Sequence, residues 1–128
     1  MTFFTIRLAR GTEILLFLTD DMAAWTSDAT LGEFLTRRIP GLDSHHCMKG
    51  RHGGFLEVLA EGTHIAHVLE HCTLALLGSP SRDAMTIKAD GFFRIYFPGL
   101  DGTSVENAFR TALDLLDEYE TTRKKEAR

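Results

Sequence analysis

Residues Thr2 to Ala9 alternate, with Phe3, Thr5 and Arg7 on one side and Phe4, Ile6 and Leu8 on the other. A period of two in a stretch rich in Phe, Ile and Thr predicts a β-strand. Gly11-Thr12 carries a turn signal and Glu13 to Thr19 is a second apolar run of strand length, so the two are expected to pair as a hairpin. The period then changes. Leu31, Phe34 and Leu35 recur at i, i+3, i+4 and predict a helix over Thr30–Arg38, ended by Pro40-Gly41. Phe55 to Leu59 reads as a short helix or turn ahead of Gly62. With Thr63 as N-cap, the apolar positions Ile65, Leu69, Leu74, Leu76 and Leu77 mark a helix over Thr63–Leu77, stopped by Gly78 and Pro80. Met85–Ala89 and Phe92–Phe97 read as strands joined across Asp90-Gly91, a hairpin signal. Val105, Phe109, Ala112, Leu113 and Leu116 predict an amphipathic helix from Thr103 or Ser104 to Tyr119. The charged tail, 121–128, is expected to fray.

This succession predicts an α+β fold: a small antiparallel sheet with helices packed on one face, in a single two-layer domain over residues 1–128. Composition narrows the function more than the fold. The 128 residues are 44% hydrophobic and 25% charged, enough apolar surface to offset chain ordering. With 14 Lys+Arg against 18 Asp+Glu the chain carries a formal charge of −4, which argues against nucleic acid as partner. No apolar run has the length of a membrane span, and the N-terminus has neither a basic region nor a cleavage site, so a cytoplasmic location is expected. Two cysteines, Cys47 and Cys72, do not make a disulfide framework.

The histidines carry the chemistry. All six (His45, His46, His52, His64, His67 and His71) fall between positions 45 and 71. Three of them and Cys47 lie in the glycine-rich stretch GLDSHHCMKGRHGG, residues 41–54, which has too few apolar side chains for a core element and is expected to be an ordered loop holding something. On the helix after Thr63, His67 and His71 are four residues apart, about 40° around the axis, so both imidazoles can reach one ion. Glu70 flanks the pair. His67-x-x-Glu70-His71 has the inverzincin order, in which two imidazoles hold Zn²⁺ and the carboxylate takes a proton from a water the ion acidifies. A third ligand must come from elsewhere: Cys47 first, His45 second, His46 third, with Asp43, Asp83 and Asp90 further candidates. His64 shares the face one turn earlier and is assigned to the rim of the site.

A plainer reading stands beside each assignment. His67 and His71 can be half-buried helix residues bonded to backbone or to Glu70. Cys47 can be an inert buried thiol, and Cys72, about 100° from His71, belongs to the core. Gly53-Gly54 can be a bare turn instead of a substrate contact. His45, His46 and His52 can be solvated loop residues.

From Ile39 to Leu76 the sequence resembles the N-terminal domain of cyanophycin synthetase. The shared succession is Pro40-Gly41-Leu42, His45 with Cys47, Gly53-Gly54-Phe55, Gly62-Thr63 and His67 to His71. That family polymerises Asp and Arg with an ATP-grasp domain and a Mur-ligase-like domain, neither of which fits in this chain. The resemblance implies an α+β module with a polymer-binding role and, as in some members, a metallopeptidase-like site. It implies Cys47, His67 and His71 as metal ligands, Glu70 as general base and His45 as a neighbour of the site. This chain has Ala75 where the family commonly has Glu, His64 in place of an aromatic or apolar residue, and Met48-Lys49 in place of Ser and an acidic residue. These departures bear on the substrate more than on the metal.

The expected function is a zinc-dependent hydrolase of a peptide or isopeptide bond in a peptide or polyamide substrate such as an Asp/Arg polymer. Zn²⁺ would be held by His67, His71 and Cys47, with Glu70 as base. His45, His46, His64, Gly53 and Gly54 would support the ligands or meet substrate. Three alternatives remain open: a non-catalytic polymer- or protein-binding module, a closed structural zinc site adding His45 or His64, and a small lyase acting on a thioether. The sequence also leaves a homo-oligomer open.

Overall fold

The computed structural model describes residues 1–18, 25–26, 29–45, 54–79 and 84–126. Strand β1 (Thr2–Leu8) and strand β2 (Gly11–Phe17) form the expected hairpin. A two-residue strand, β3 (Trp25–Thr26), precedes helix α1 (Ala29–Arg38) and a 3-10 turn at Leu42–Ser44. Helix α2 (Gly54–Glu61), the short strand β4 (Thr63–His64) and helix α3 (Ile65–Leu76) follow. Strands β5 (Met85–Ala89) and β6 (Phe92–Pro98) make the second hairpin across Asp90-Gly91, where Gly91 takes the positive φ of 83° that the turn requires. Helix α4 (Gly102–Glu126) completes the described chain.

The two hairpins join into one antiparallel sheet of order β1-β2-β6-β5, with Ile14 opposite Ile95 at the central seam. Its inward parity (Ile14, Leu16, Phe93, Ile95 and Phe97) is buried against helices on one face, as an α+β fold requires. Phe3 packs on Phe109 of α4 at 4.8 Å, and Thr5 donates to Glu106 at 2.8 Å, which fixes the face that β1 turns inward. The other parity, with Phe4, Ile6, Leu8, Met85 and Ile87, faces outward. Among the described residues no helix is long and apolar enough to cross a membrane.

Four boundaries differ from the sequence expectation, each for a local reason. The first turn is Ala9-Arg10, and Gly11 already belongs to β2. Gly11 serves close approach: a Cβ there would lie 2.5 Å from the carbonyl oxygen of Phe97. Thr63 does not cap α3. It lies in β4 beside β3, and His64 takes the N-cap position without a side-chain cap bond. The last helix begins earlier because Asp101 caps it, its carboxylate accepting from both the backbone N–H (3.0 Å) and the hydroxyl (3.2 Å) of Ser104. It also runs on through Glu126 where fraying was expected. Arg123, Lys124 and Lys125 in its last turn complement the helix dipole, and Arg123 reaches Glu120 at 3.8 Å.

Candidate metal centre

Helix α3 is buried along nearly its whole length, because its sequence is apolar on most faces and the sheet, α4 and the 3-10 turn pack around it. His67, together with Leu76 at the helix end, is half-buried. One turn apart on this rigid element, His67 and His71 bring their Nε2 atoms to 3.0 Å. Glu70 Oε2 lies 3.4 Å from His71 Nε2. The donor atoms of His67, Glu70 and His71 all fall within 4.8 Å of one another.

Each of these groups is held from behind. The hydroxyl of Thr63 is 2.9 Å from His67 Nδ1. His45 Nδ1 is 2.9 Å from His71 Nδ1, and His45 Nε2 is 3.2 Å from the carbonyl oxygen of Ser79. Thr86 of β5 donates to Glu70 Oε1 at 2.8 Å, turning Oε2 toward the imidazoles. Phe55, fully buried on α2, stacks on the His71 ring at 4.4 Å with 24° between planes. His45 itself is fastened between elements: its N–H donates to Leu42 O at 3.1 Å, and its carbonyl accepts from Phe55 N–H at 3.3 Å.

Burial sets the protonation of the cluster. Glu70 is 3% exposed and His71 2%. Desolvation raises the Glu70 carboxyl to about 7, against the opposing hydrogen bond from Thr86. The same desolvation, reinforced by the rings of His67 and His45, holds His71 far below the ordinary imidazole range. Burial and then His64 lower His67 as well. Neutral imidazoles beside a carboxylate are a donor set of the kind a divalent cation takes. The spacing fits zinc: two tetrahedral ligands at Zn–N bonds of about 2.0–2.1 Å lie roughly 3.3 Å apart, near the 3.0 Å seen here.

The structure thus brings together His67, Glu70 and His71, with His45 beside them. Cys47, His46, His52, Gly53 and Asp83 lie outside the described residues. Gly54 is buried at the start of α2. His45 is not a solvated loop residue: it is buried and meets His71 at Nδ1, on the opposite edge of the ring from Nε2, which suits a supporting group better than a third ligand. His64 caps α3 with its ring 5.3 Å from that of Phe93. Asp43 and Asp90 are exposed outside the cluster. Cys72 is core, as expected, its thiol pushed up to about 12 by burial.

Sequence reasoning missed Thr86, Phe55 and Ser79. Phe55 stands in the segment that resembles the known family, but nothing local ties it to His71. Thr86 gives only the weak signal of a hydroxyl on the parity opposite Met85 and Ile87. Ser79 acts through its backbone, which no side-chain pattern reveals.

Residues 14–118 match the family described as the cyanophycin synthase-like N-terminal domain. The chain is 31% identical over 110 residues to the cyanophycin synthetase of Geminocystis herdmanii, covering 80% of this chain and 13% of that protein. It is 39% identical over 59 residues to that of Crocosphaera subtropica (44% and 7%) and 46% identical over 44 residues to that of Trichormus variabilis (34% and 5%). The chain therefore spans only a small fraction of the length of these relatives. No solved structure matches it significantly.

Proposed function

The chain belongs to the family of cyanophycin synthase-like N-terminal domains, and on that footing we propose that it is a zinc-dependent hydrolase of a peptide or isopeptide bond. The relatives are named cyanophycin synthetases, so the substrate proposed is a polyamide of the Asp/Arg type. The observation that carries the reading is the convergence of His67 Nε2, His71 Nε2 and Glu70 Oε2 on one point of α3.

In this reading His67 and His71 hold the ion through Nε2, and Cys47 is the third ligand. Zinc, when bound, supplies Lewis acidity toward the scissile carbonyl and toward water. Glu70 Oε2 accepts the proton of the attacking water and returns it to the leaving nitrogen. Thr86 keeps Oε1 engaged, so one oxygen performs both transfers. Phe55 covers one face of His71 and keeps water from that side of the ligand.

A second reading, a binding module without catalysis, draws support from the burial of Glu70 and His71, which would also suit a metal that only ties the fold together. One set of proteins tests both: untagged wild type, Cys47→Ser, His67→Ala and Glu70→Gln, assayed for metal content and for hydrolysis of an Asp/Arg polyamide. The hydrolase reading expects about one zinc in wild type, loss of zinc in the first two variants, and loss of hydrolysis but not zinc in Glu70→Gln. Full metal-dependent hydrolysis by Glu70→Gln would overturn the assigned base. Polymer retention that survives both chelation and Glu70→Gln, without turnover, would favour the binding module.

A further inference from the structure

We propose that two copies of this chain pair face to face through the outward side of the sheet, making a particle of four layers with the helices outermost. The inference uses none of the candidate metal ligands and stands whether or not that site holds an ion.

An antiparallel sheet that meets water on one side alternates apolar and polar residues along each strand, because only one of its faces has a core to join. The outward parity here does not read that way. Ile6, Glu13, Tyr96 and Met85 lie in register across the four strands, and Phe4, Leu15, Arg94 and Ile87 form the next row. Beyond them Phe17 stacks on Phe92 at 5.2 Å with 24° between planes, and Phe4 meets Phe17 edge-on at 5.8 Å. Among the described residues, every large apolar side chain that is exposed lies on this one face: Phe4, Ile6, Leu8, Phe17, Met85 and Ile87. Phe4 is 57% exposed and Met85, at the far edge, 51%. Apolar residues scattered singly over a surface need no explanation, but six gathered on one flat face mark an interaction surface.

Charge identifies what covers it. Glu13 and Arg94 are the two charged residues on the outward parity of the four strands, and they bond to each other at 3.0 Å across β2 and β6. The face therefore carries one charge of each sign and no net charge, so its electrostatic complement is itself. A two-fold axis lying between two such faces sets Arg94 of each copy beside Glu13 of the other, and four charges of alternating sign satisfy one another where water is expelled. A strongly acidic or strongly basic partner would instead oppose one member of the pair with like charge.

The area agrees. With about 150–250 Å² for a whole aromatic side chain, the six exposed side chains present on the order of 500 Å² of apolar surface. Arg94 and the half-buried Leu15, Phe92 and Tyr96 extend the face toward the roughly 800 Å² per partner of a stable interface. Two sheets stacked in this way lie about 10 Å apart, as in a β-sandwich. Helix α3 lies on the other side of each sheet, so pairing leaves both candidate metal centres in the outer layers.

Sedimentation equilibrium of untagged wild type, in a chelating buffer so that no metal bridges the copies, tests the pairing without any variant. The expected result is twice the mass of one chain at concentrations up to about 100 μM. A single-chain mass throughout would overturn the proposal and give the face to a partner of another kind. Growth beyond two copies would overturn it in favour of open, edge-to-edge pairing. Phe4→Lys and Ile87→Lys, each shown by circular dichroism to be folded, should shift the equilibrium to single chains; a doubled mass kept by both would put the interface elsewhere. Arg94→Glu and Glu13→Arg each place two like charges on the face and should weaken self-association about tenfold or more. An equimolar mixture of these two variants, one face acidic and the other basic, should regain the doubled mass. A mixture that stays single-chain would refute the face-to-face arrangement, because a pair that matters only within one chain is not repaired by a second chain.

Discussion

The hydroxyl of Thr86, on the edge strand β5, donates to Oε1 of Glu70, on the buried helix α3, at 2.8 Å. Sixteen residues separate the two, and the contact ties the candidate base to the sheet. It favours the ionised carboxylate, against the desolvation that raises Glu70. Thr86→Val, which keeps the shape and removes the donor, should leave zinc content unchanged and move the acidic limb of the pH–rate profile to higher pH. The lost hydrogen bond should cost about 1 kcal/mol of stability. An unshifted pH profile would separate Thr86 from the base.

Glu70 also sets a pH dependence of the metal-free fold. Its folded value, near 7, lies above the ordinary 4.5. Between those values the folded protein holds a proton that the unfolded chain has released, so this group's contribution falls as pH rises from 4.5 to 7. Glu70→Gln removes that loss. The metal-free variant should be more stable than metal-free wild type near pH 8, by on the order of 3 kcal/mol, with the difference vanishing toward pH 4.5. Denaturant unfolding at the two pH values checks it; an equal difference at both would count against a buried, shifted carboxyl.

His71 works in the opposite sense. Its folded value is depressed below the ordinary 6.5, so the unfolded chain takes up a proton the folded site refuses. Stability contributed by the neutral ring is complete above pH 6.5 and is lost as pH falls below it. Metal-free His71→Phe should therefore lose stability less steeply than wild type between neutral and acidic pH, read as the slope of Tm against pH. A parallel slope would show that His71 titrates normally.

Gly11 predicts a seam defect. A Cβ at this position would lie 2.5 Å from Phe97 O and 2.9 Å from Pro98 Cα, both backbone atoms of the neighbouring strand. Gly11→Ala should destabilise the protein by about 2–3 kcal/mol through displacement of β2 from β6. The same substitution at Gly91, where nothing lies within 4 Å, tests φ strain alone and should cost less. Equal losses in thermal unfolding would contradict close packing at Gly11.

Asp101 caps α4 through Ser104. Its carboxyl sits below the ordinary value because it accepts from the backbone N–H and then the hydroxyl of Ser104. Asp101→Ala should lower Tm, and Asp101→Asn, which can still accept from the N–H, should restore part of it. A wild-type Tm for Asp101→Ala would remove the cap from the account of this helix.

Much was legible in the sequence because the signals are local. Alternation set the strands at Thr2–Leu8 and Met85–Ala89, Asp90-Gly91 set the second hairpin, and the i, i+3, i+4 pattern set α1 and the amphipathic face of α4. His67, Glu70 and His71 were readable as one group because helix geometry alone puts them there. Where local signals competed, the reading slipped: Gly11 looked like a turn although its role is backbone approach, and Thr63 looked like a cap although its hydroxyl meets His67.

Order of the strands was not in any pattern, since β2 beside β6 is a choice between hairpins that alternation leaves equal. That choice places β5, and with it Thr86, against Glu70. The pairing of His45 with His71 spans 26 positions and depends on the chain folding back over α3. The pairing of His67 with His71 was thus specified by spacing along one helix. Its supporting groups were decided only when burial brought distant segments together, because a buried polar atom must find its hydrogen-bond partner wherever the fold supplies one.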